Sequence, residues 1–493
     1  MDPKKVHHIR QQLIYADIKG TESEGKALQH LLKSLCNSQL RSVMEDVFNR
    51  YSPNSGELYF EHLYLDIGTV SSDQLENNFS VLVGNALEQS ICDQIKKDGN
   101  YTGSDQDTIE NVRQISSNRM VWEVLFYFLE TGRLPWSIEL QTGSTLETVL
   151  QKQAFNILDI ESLRLVLFNS NARKRLVNQF SPLFLDDLLE SISFNGKRNF
   201  DLVISKLNSS TRLPKEDLPL YKKQLRLLLF EEFAKAQVFS EDELLKQFIH
   251  DLWQSEVQLS KKILKENLNE VVKSLWPKVH ADLISKEGNG GLELFKKNDF
   301  KKNLHLLDEQ SLKLNLSRER KQSLLLEKKE GFYINNAGLV LLHPFLSMIF
   351  ETLKISKENK LLEPERALCL LYFLTTGRNS PAEYELVLPK ILCNMELDKP
   401  VESIQPLSQA DQDEAENLLK AVIGHWDALR DTSPDALRGT FLYRPGKISR
   451  RNDNGWLLQV EHQSFDILLE GLPWGIGMIK LPWMQEMLFV EWN

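Results

Sequence analysis

Cysteine is scarce: the chain has four in 493 residues, at positions 36, 92, 369 and 393. None forms a Cys-x-x-Cys pair and no Cys/His spacing suits zinc, so neither a disulfide scaffold nor a structural zinc site organises the fold. Cys369 sits in Leu368-Cys369-Leu370-Leu371 and reads as a small buried hydrophobe in a reducing cytoplasm. Positive charge is also in deficit. Lys and Arg number 59 against 69 Asp and Glu, a formal net charge of −10, which argues against a protein that wraps nucleic acid in a general basic field. Long apolar runs are missing too. No apolar stretch follows Met1-Asp2-Pro3-Lys4-Lys5, so no secretory signal is read. The longest uncharged stretch, Gly331 to Phe350, is interrupted by Asn335, Asn336, His343 and Pro344, whereas a membrane span needs about 20 predominantly apolar residues. The expectation is a cytoplasmic protein without stable membrane insertion.

Catalytic signatures are equally thin. Gly20, Gly25 and Lys26 have phosphate-loop spacing, but Ala27 stands where Ser or Thr should hold Mg²⁺, and Glu22 and Glu24 would repel phosphate. There is no Gly-x-Ser-x-Gly elbow. His7-His8 is the one close pair among ten histidines, and no two-His, i,i+4 metal pattern occurs. His62 and Asp66 share a strand face but lie about 13 Å apart at about 3.3 Å per residue, so they read as a polar face. The expectation is no enzyme: no catalytic residue, no metal and no cofactor. A hydrolase would need a pocket that gathers several Asp, Glu and His.

What is present is helical periodicity with a few strands. Length suggests about three domains. Residues 1–97 read as a helix–strand–helix module: Leu28, Leu31, Leu32 and Leu35 repeat at helical spacing, Glu57 to Val70 alternates as a strand, and Leu75, Phe79, Val83 and Leu87 resume a helix. Residues 98–118 are polar and read as a linker. Residues 119–330 form a helical middle, cut by Pro182, Pro214, Pro219 and Pro277 and by Gly288-Asn289-Gly290-Gly291 into short helices rather than a rod. Residues 331–493 combine helices with a small antiparallel sheet. There Ser408 and Asp411 make a capping-box pattern, Ser433-Pro434 starts a short helix, and 455–492 alternates as strands. The fold class expected is α+β, predominantly α-helical, with small β elements at 57–70 and 455–492.

Two recurrences stand out. Tyr127-Phe128-Leu129-Glu130-Thr131-Gly132-Arg133 returns as Tyr372-Phe373-Leu374-Thr375-Thr376-Gly377-Arg378, each with Gly where a left-handed cap would end a helix. Duplication and chance both fit. Leu-Pro-Trp occurs three times, ending in Trp136, Trp474 and Trp483. Each proline stops an element and is followed by a large rigid ring. Such a corner either packs its Trp locally or docks a partner, since Trp is enriched at hot spots.

The stretch Asn335-Asn336-Ala337-Gly338-Leu339-Val340-Leu341-Leu342-His343-Pro344-Phe345-Leu346 resembles the signature of contractile injection system tape measure proteins. The likeness continues through Glu385 to Cys393, with Asn394 in place of an expected Gly, and through His425-Trp426, Leu437-Arg438, Phe441-Leu442, Arg444 and Gly446. It closes with Phe465-Asp466-Ile467-Leu468-Leu469, Leu472-Pro473-Trp474 and Ile479 to Met484. The strand Leu63 to Gly68 and the run Phe128 to Trp136 are similar as well. The resemblance implies a structural part of a phage-tail-like contractile particle that sets tube length or starts tube assembly on the baseplate. It implies tube and baseplate or spike proteins as partners, an oligomeric arrangement in the particle, and assembly in the cytoplasm with incorporation and export left open. Candidate partner-docking residues are Trp136, Trp474, Trp483, His343, Phe345 and Trp426; His343 also reads as a core or turn histidine. A middle of about 190 residues would reach about 290 Å if wholly helical, and its prolines and glycines argue against such a rod. The alternative is a stand-alone scaffold, adaptor or assembly chaperone that binds through the Leu-Pro-Trp corners.

Overall fold

A computed structural model describes mainly residues 12–52, 57–99, 112–135, 144–209, 218–235 and 331–492, with short gaps inside these ranges. The chain is predominantly helical α+β and divides into two compact units. No helix among the described residues is long and apolar enough to cross a membrane.

The first unit holds residues 1–124, with 137–144 and 152–154. Thr21 starts α1 (Glu22–Leu35) with a reciprocal capping box to Glu24. The helix passes without a break through a π segment, Cys36–Leu40, into α2 (Arg41–Tyr51). β1 (Glu57–Phe60) follows, then α3 (Ser72–Gly99). Leu40, Val47, Phe79, Leu87 and Ile91 make its core. Ser80 bonds Gln39, and Cys92 bonds Tyr51, so both partners advance together and the two helices run parallel. The expected strand 57–70 is shorter: among the described residues only Glu57–Phe60 is strand, and it pairs with β2 (Val112–Ile115) from within the stretch read as linker. His62 lies outside the described residues, and Asp66 caps the following turn by accepting the Gly68 N–H at 2.8 Å.

The second unit holds 125–136, 145–151 and 155–493. It opens with the end of α4 (Ser117–Thr131) and continues through α5 (Leu146–Leu150), α6 (Ile157–Val166), α7 (Ser170–Gln179), α8 (Pro182–Ile192), α9 (Phe194–Ser209) and α10 (Leu218–Lys235). The chain returns in β3 (Phe332–Ile334). A 3₁₀ segment, Ala337–Leu342, leads into α11 (His343–Thr352), followed by the small β4–β5 hairpin (Ser356–Lys357, Lys360–Leu361), α12 (Pro364–Thr376), α13 (Val387–Leu392), α14 (Gln409–His425) and α15 (Pro434–Leu437). β6 (Gly446–Arg450), β7 (Trp456–Val460), β8 (Met478–Ile479) and β9 (Leu488–Trp492) complete it. α12 is buried on nearly every side, from Ala367 to Thr375, as its continuous apolar sequence requires.

The C-terminal sheet differs from the expected antiparallel one. Its order is β3-β6-β7-β9-β8, and β7 pairs with β9 in parallel, Trp456 opposite Leu488 through Val460 opposite Trp492. Parallel neighbours need a long crossover. Residues 461–487 supply it and carry a 3₁₀ segment, Ser464–Gly471, and both C-terminal Leu-Pro-Trp corners. The third partner, β3, comes from over a hundred residues upstream, which local alternation cannot reveal.

Gly338, inside the Asn-Ala-Gly-Leu motif, lies directly against the backbone of a π segment, Arg438–Leu442. A Cβ at 338 would collide with the Phe441 carbonyl oxygen and sit 2.7 Å from Leu442 Cα. Backbone cannot yield as a side-chain tip can, so Gly338→Ala should lower stability by about 3 kcal/mol, read as a shift of the urea midpoint. Gly424→Ala, in a helix with open space around it, should raise stability by about 0.5–1 kcal/mol.

Candidate functional site

The repeated Tyr-Phe-Leu-x-Thr-Gly-Arg run folds twice into the same helix end. Gly132 and Gly377 take φ +75 and +69, and their N–H groups donate to Phe128 O at 2.7 Å and Phe373 O at 2.8 Å. Thr131 and Thr376 donate back to Tyr127 O and Tyr372 O, each at 2.8 Å. Both hydroxyls accept the N–H of the residue two further on at 3.1 Å, from Arg133 and from Arg378. A buried guanidinium from a later element then caps the matching carbonyl: Arg175 Nη1 donates to Leu129 O at 2.9 Å, and Arg438 Nε to Leu374 O at 3.2 Å. Helix ends leave such carbonyls without a partner, and here arginine satisfies them.

The first copy is tied further. Arg175 Nε lies 3.1 Å from Glu383 Oε1, with both side chains at 0% exposure. Lys390 Nζ reaches the same oxygen at 2.7 Å and donates to Leu397 O and Lys399 O. Arg175 Nη2 donates to Asp398 O at 2.5 Å, and Arg133 Nη1 to Asp398 Oδ1 at 3.1 Å. Three cations face two carboxylates, and backbone carbonyls take further donors of Arg175 and Lys390. Burial pulls the Lys390 ammonium below its ordinary range, while the Glu383 charge opposes that shift. Burial lowers the Arg133 guanidinium as well, against the pull of Asp398. A Cβ at Gly132 would stand 2.6 Å from Glu383 Oε1 and 3.0 Å from Arg175 Nε, so glycine serves here for space as well as for φ. Around this centre Lys174 pairs with Glu402, Asn178 donates to Val401 O, and Gln179 accepts from the Glu383 N–H. Residues 171–179 are thereby fastened to 383–402.

A second buried pair joins two quoted motif residues. Arg444 holds both Asp466 oxygens, at 2.7 and 2.9 Å. Burial alone would raise the Asp466 carboxyl, but Arg444, the Gln463 N–H and the Trp492 indole N–H hold it down to about 2.

The predicted docking residues scatter. Phe345 and Trp474 meet edge to face with centroids 5.1 Å apart, and His425 lies 6.0 Å from Phe345. Both aromatics are half-buried, and Met348, one turn along α11, is 58% exposed. The Trp474 indole donates to Leu341 O at 3.0 Å. Trp483 sits at another corner, stacked on Phe350 and donating to Leu392 O at 2.7 Å. His343 is half-buried with Nδ1 3.1 Å from Val340 O, and desolvation lowers its pKa. Trp426 is fully buried, with its N–H on Leu468 O, so it is a core anchor with no surface to offer a partner. Trp136 lies outside the described residues. Sequence reading missed Arg175, Glu383 and Lys390, since nothing in a spacing of 208 residues links Arg175 to Glu383. Among the described residues no three His, Cys, Asp or Glu could hold a metal. The buried thiols of Cys369 and Cys393 are pushed up by burial, the former to about 11, so both are protonated and unreactive at neutral pH.

Glu383→Gln leaves Arg175 and Lys390 buried without a counter-charge and should cost about 3–5 kcal/mol, measured as a lowered urea midpoint. Lowering pH should remove the Asp466 contribution. Its folded pKa lies below 3.8, so that contribution is complete above about pH 4 and is lost as pH falls toward 2. Asp466→Asn should flatten the pH dependence of unfolding in this window, as followed by tryptophan fluorescence.

The sequence profile of the family described as contractile injection system tape measure protein matches residues 6–492. No curated protein and no solved structure matches the chain.

Proposed function

The chain belongs to the contractile injection system tape measure protein family, and we propose that it works in such a particle as a folded body that starts tube assembly on the baseplate, without catalysis of its own. The supporting observation is where the chain leaves and re-enters its second unit. α10 ends at Lys235 and β3 begins at Phe332, both in that unit. The stretch of about 95 residues between them is anchored at both ends on one body. Such a stretch reaches at most half its contour, about 70 Å if helical and about 160 Å if fully extended. The preceding helices α5 to α10 belong to the compact unit as well, so the middle of the chain does not supply one continuous ruler. The half-buried Phe345–Trp474 pair, with Met348 beside it, is the face assigned to a tube or baseplate partner. Aromatics and methionine at a partly exposed surface suit that role.

Electron microscopy of particles tests this. Cells without the chain should yield at least about tenfold fewer tubes. A chain lacking residues 250–310 should build tubes of unchanged length, and shortening in proportion to the residues removed would restore the ruler. Met348→Glu, at an exposed position, should reduce particle yield about tenfold without lowering the melting temperature.

A further inference from the structure

The first unit carries a feature that the particle role does not use. Residues 12–20 are exposed throughout, with Leu13, Ile14, Tyr15 and Ile18 at 62%, 51%, 88% and 45%. Four large apolar side chains facing water within six residues mark a contact surface. Both ends of the stretch are pinned to its own chain. His7 Nε2 lies 2.8 Å from Asn49 Oδ1, with its ring 5.5 Å from Phe48, and Thr21 is locked in its capping box with Glu24. Between these anchors residues 12–19 form neither helix nor turn. Among the described residues, no hydrogen bond is made by the backbone of 12–19. An exposed apolar segment with its backbone groups unpaired is a template for strand pairing.

We infer that this segment pairs with the same segment of a second copy of this chain, antiparallel, about a two-fold axis at Ala16. Self-complementarity selects the occupant. In that register Ile14 stands opposite Ile18 of the other copy and Ala16 opposite Ala16, so one face of the ribbon is apolar along its length. On the other face Tyr15 meets Asp17 and Leu13 meets Lys19, and no like charges oppose each other. A shift to either neighbouring register puts Ile14 opposite Asp17 or Lys19. The two-fold gives both copies the same contacts, and the pinned ends mean that little ordering is left to pay on pairing. This inference is independent of the role in the particle.

Cysteine cross-linking of the full chain tests it. Residues opposite one another in an antiparallel pair have Cα atoms about 4.5–5.5 Å apart, within disulfide reach. Under mild oxidation Ala16→Cys should form a covalent dimer, while Leu13→Cys, facing Lys19, and the unmodified chain should not. Light scattering should give a dimer mass for the unmodified chain, and Ile14→Lys should raise the dissociation constant at least about tenfold with an unchanged circular dichroism spectrum. A monomer mass at tens of micromolar, equal cross-linking of Leu13→Cys and Ala16→Cys, or association only with a tube protein would overturn the inference.

Discussion

The second unit depends on one carboxylate placed where carboxylates rarely survive. Glu383 is wholly buried between Arg175 and Lys390. Taking these charges out of water is costly, and only mutual pairing with a full set of further hydrogen bonds offsets it. That condition ties together the end of α4, helix α7, the 383–390 stretch that runs into α13 and the 397–401 loop, segments up to about 270 residues apart in sequence. No one of them can leave without stranding a charge. The consequence is architectural: a helix that belongs to the N-terminal motif block and the C-terminal motif block fold as one body.

The same logic explains the repeated helix end. In each copy glycine turns the chain, threonine recovers a carbonyl, and an arginine from further along caps the matching leucine carbonyl. The copies then diverge. Arg438 finds its acids at Glu416 and Asp435, toward the surface, whereas Arg175 meets Glu383 in the interior. Both arginines join segments distant in sequence, Arg438 across 64 residues and Arg175 across 208, but only Arg175 meets a wholly buried acid.

Much of this was legible in the sequence. The predominance of helix, the strands near 57 and after 455, the glycine caps, the capping box at Ser408 and the N-cap at Ser433 all follow from short-range periodicity and cap chemistry, which a sequence displays directly. The sheet order was not, because β3 joins through pairing across more than a hundred residues and β7–β9 lie parallel. The Leu-Pro-Trp corners were visible, but not the carbonyls that receive the indole N–H groups of Trp474 and Trp483, and nothing in His425-Trp426 marks Trp426 as fully buried. Arg444 and Asp466 were both visible as motif residues, yet only the fold makes them a pair. Glu383 gave no signal, because a buried acid is written with the same letter as an exposed one.

Cutting the chain tests the central claim most directly. A protease site placed between residues 250 and 310 and cleaved in the folded protein would separate the N-terminal and C-terminal motif blocks covalently. On gel filtration without denaturant the two fragments should travel together at the mass of the intact chain. Independent elution of two folded fragments would contradict a single body held across that gap.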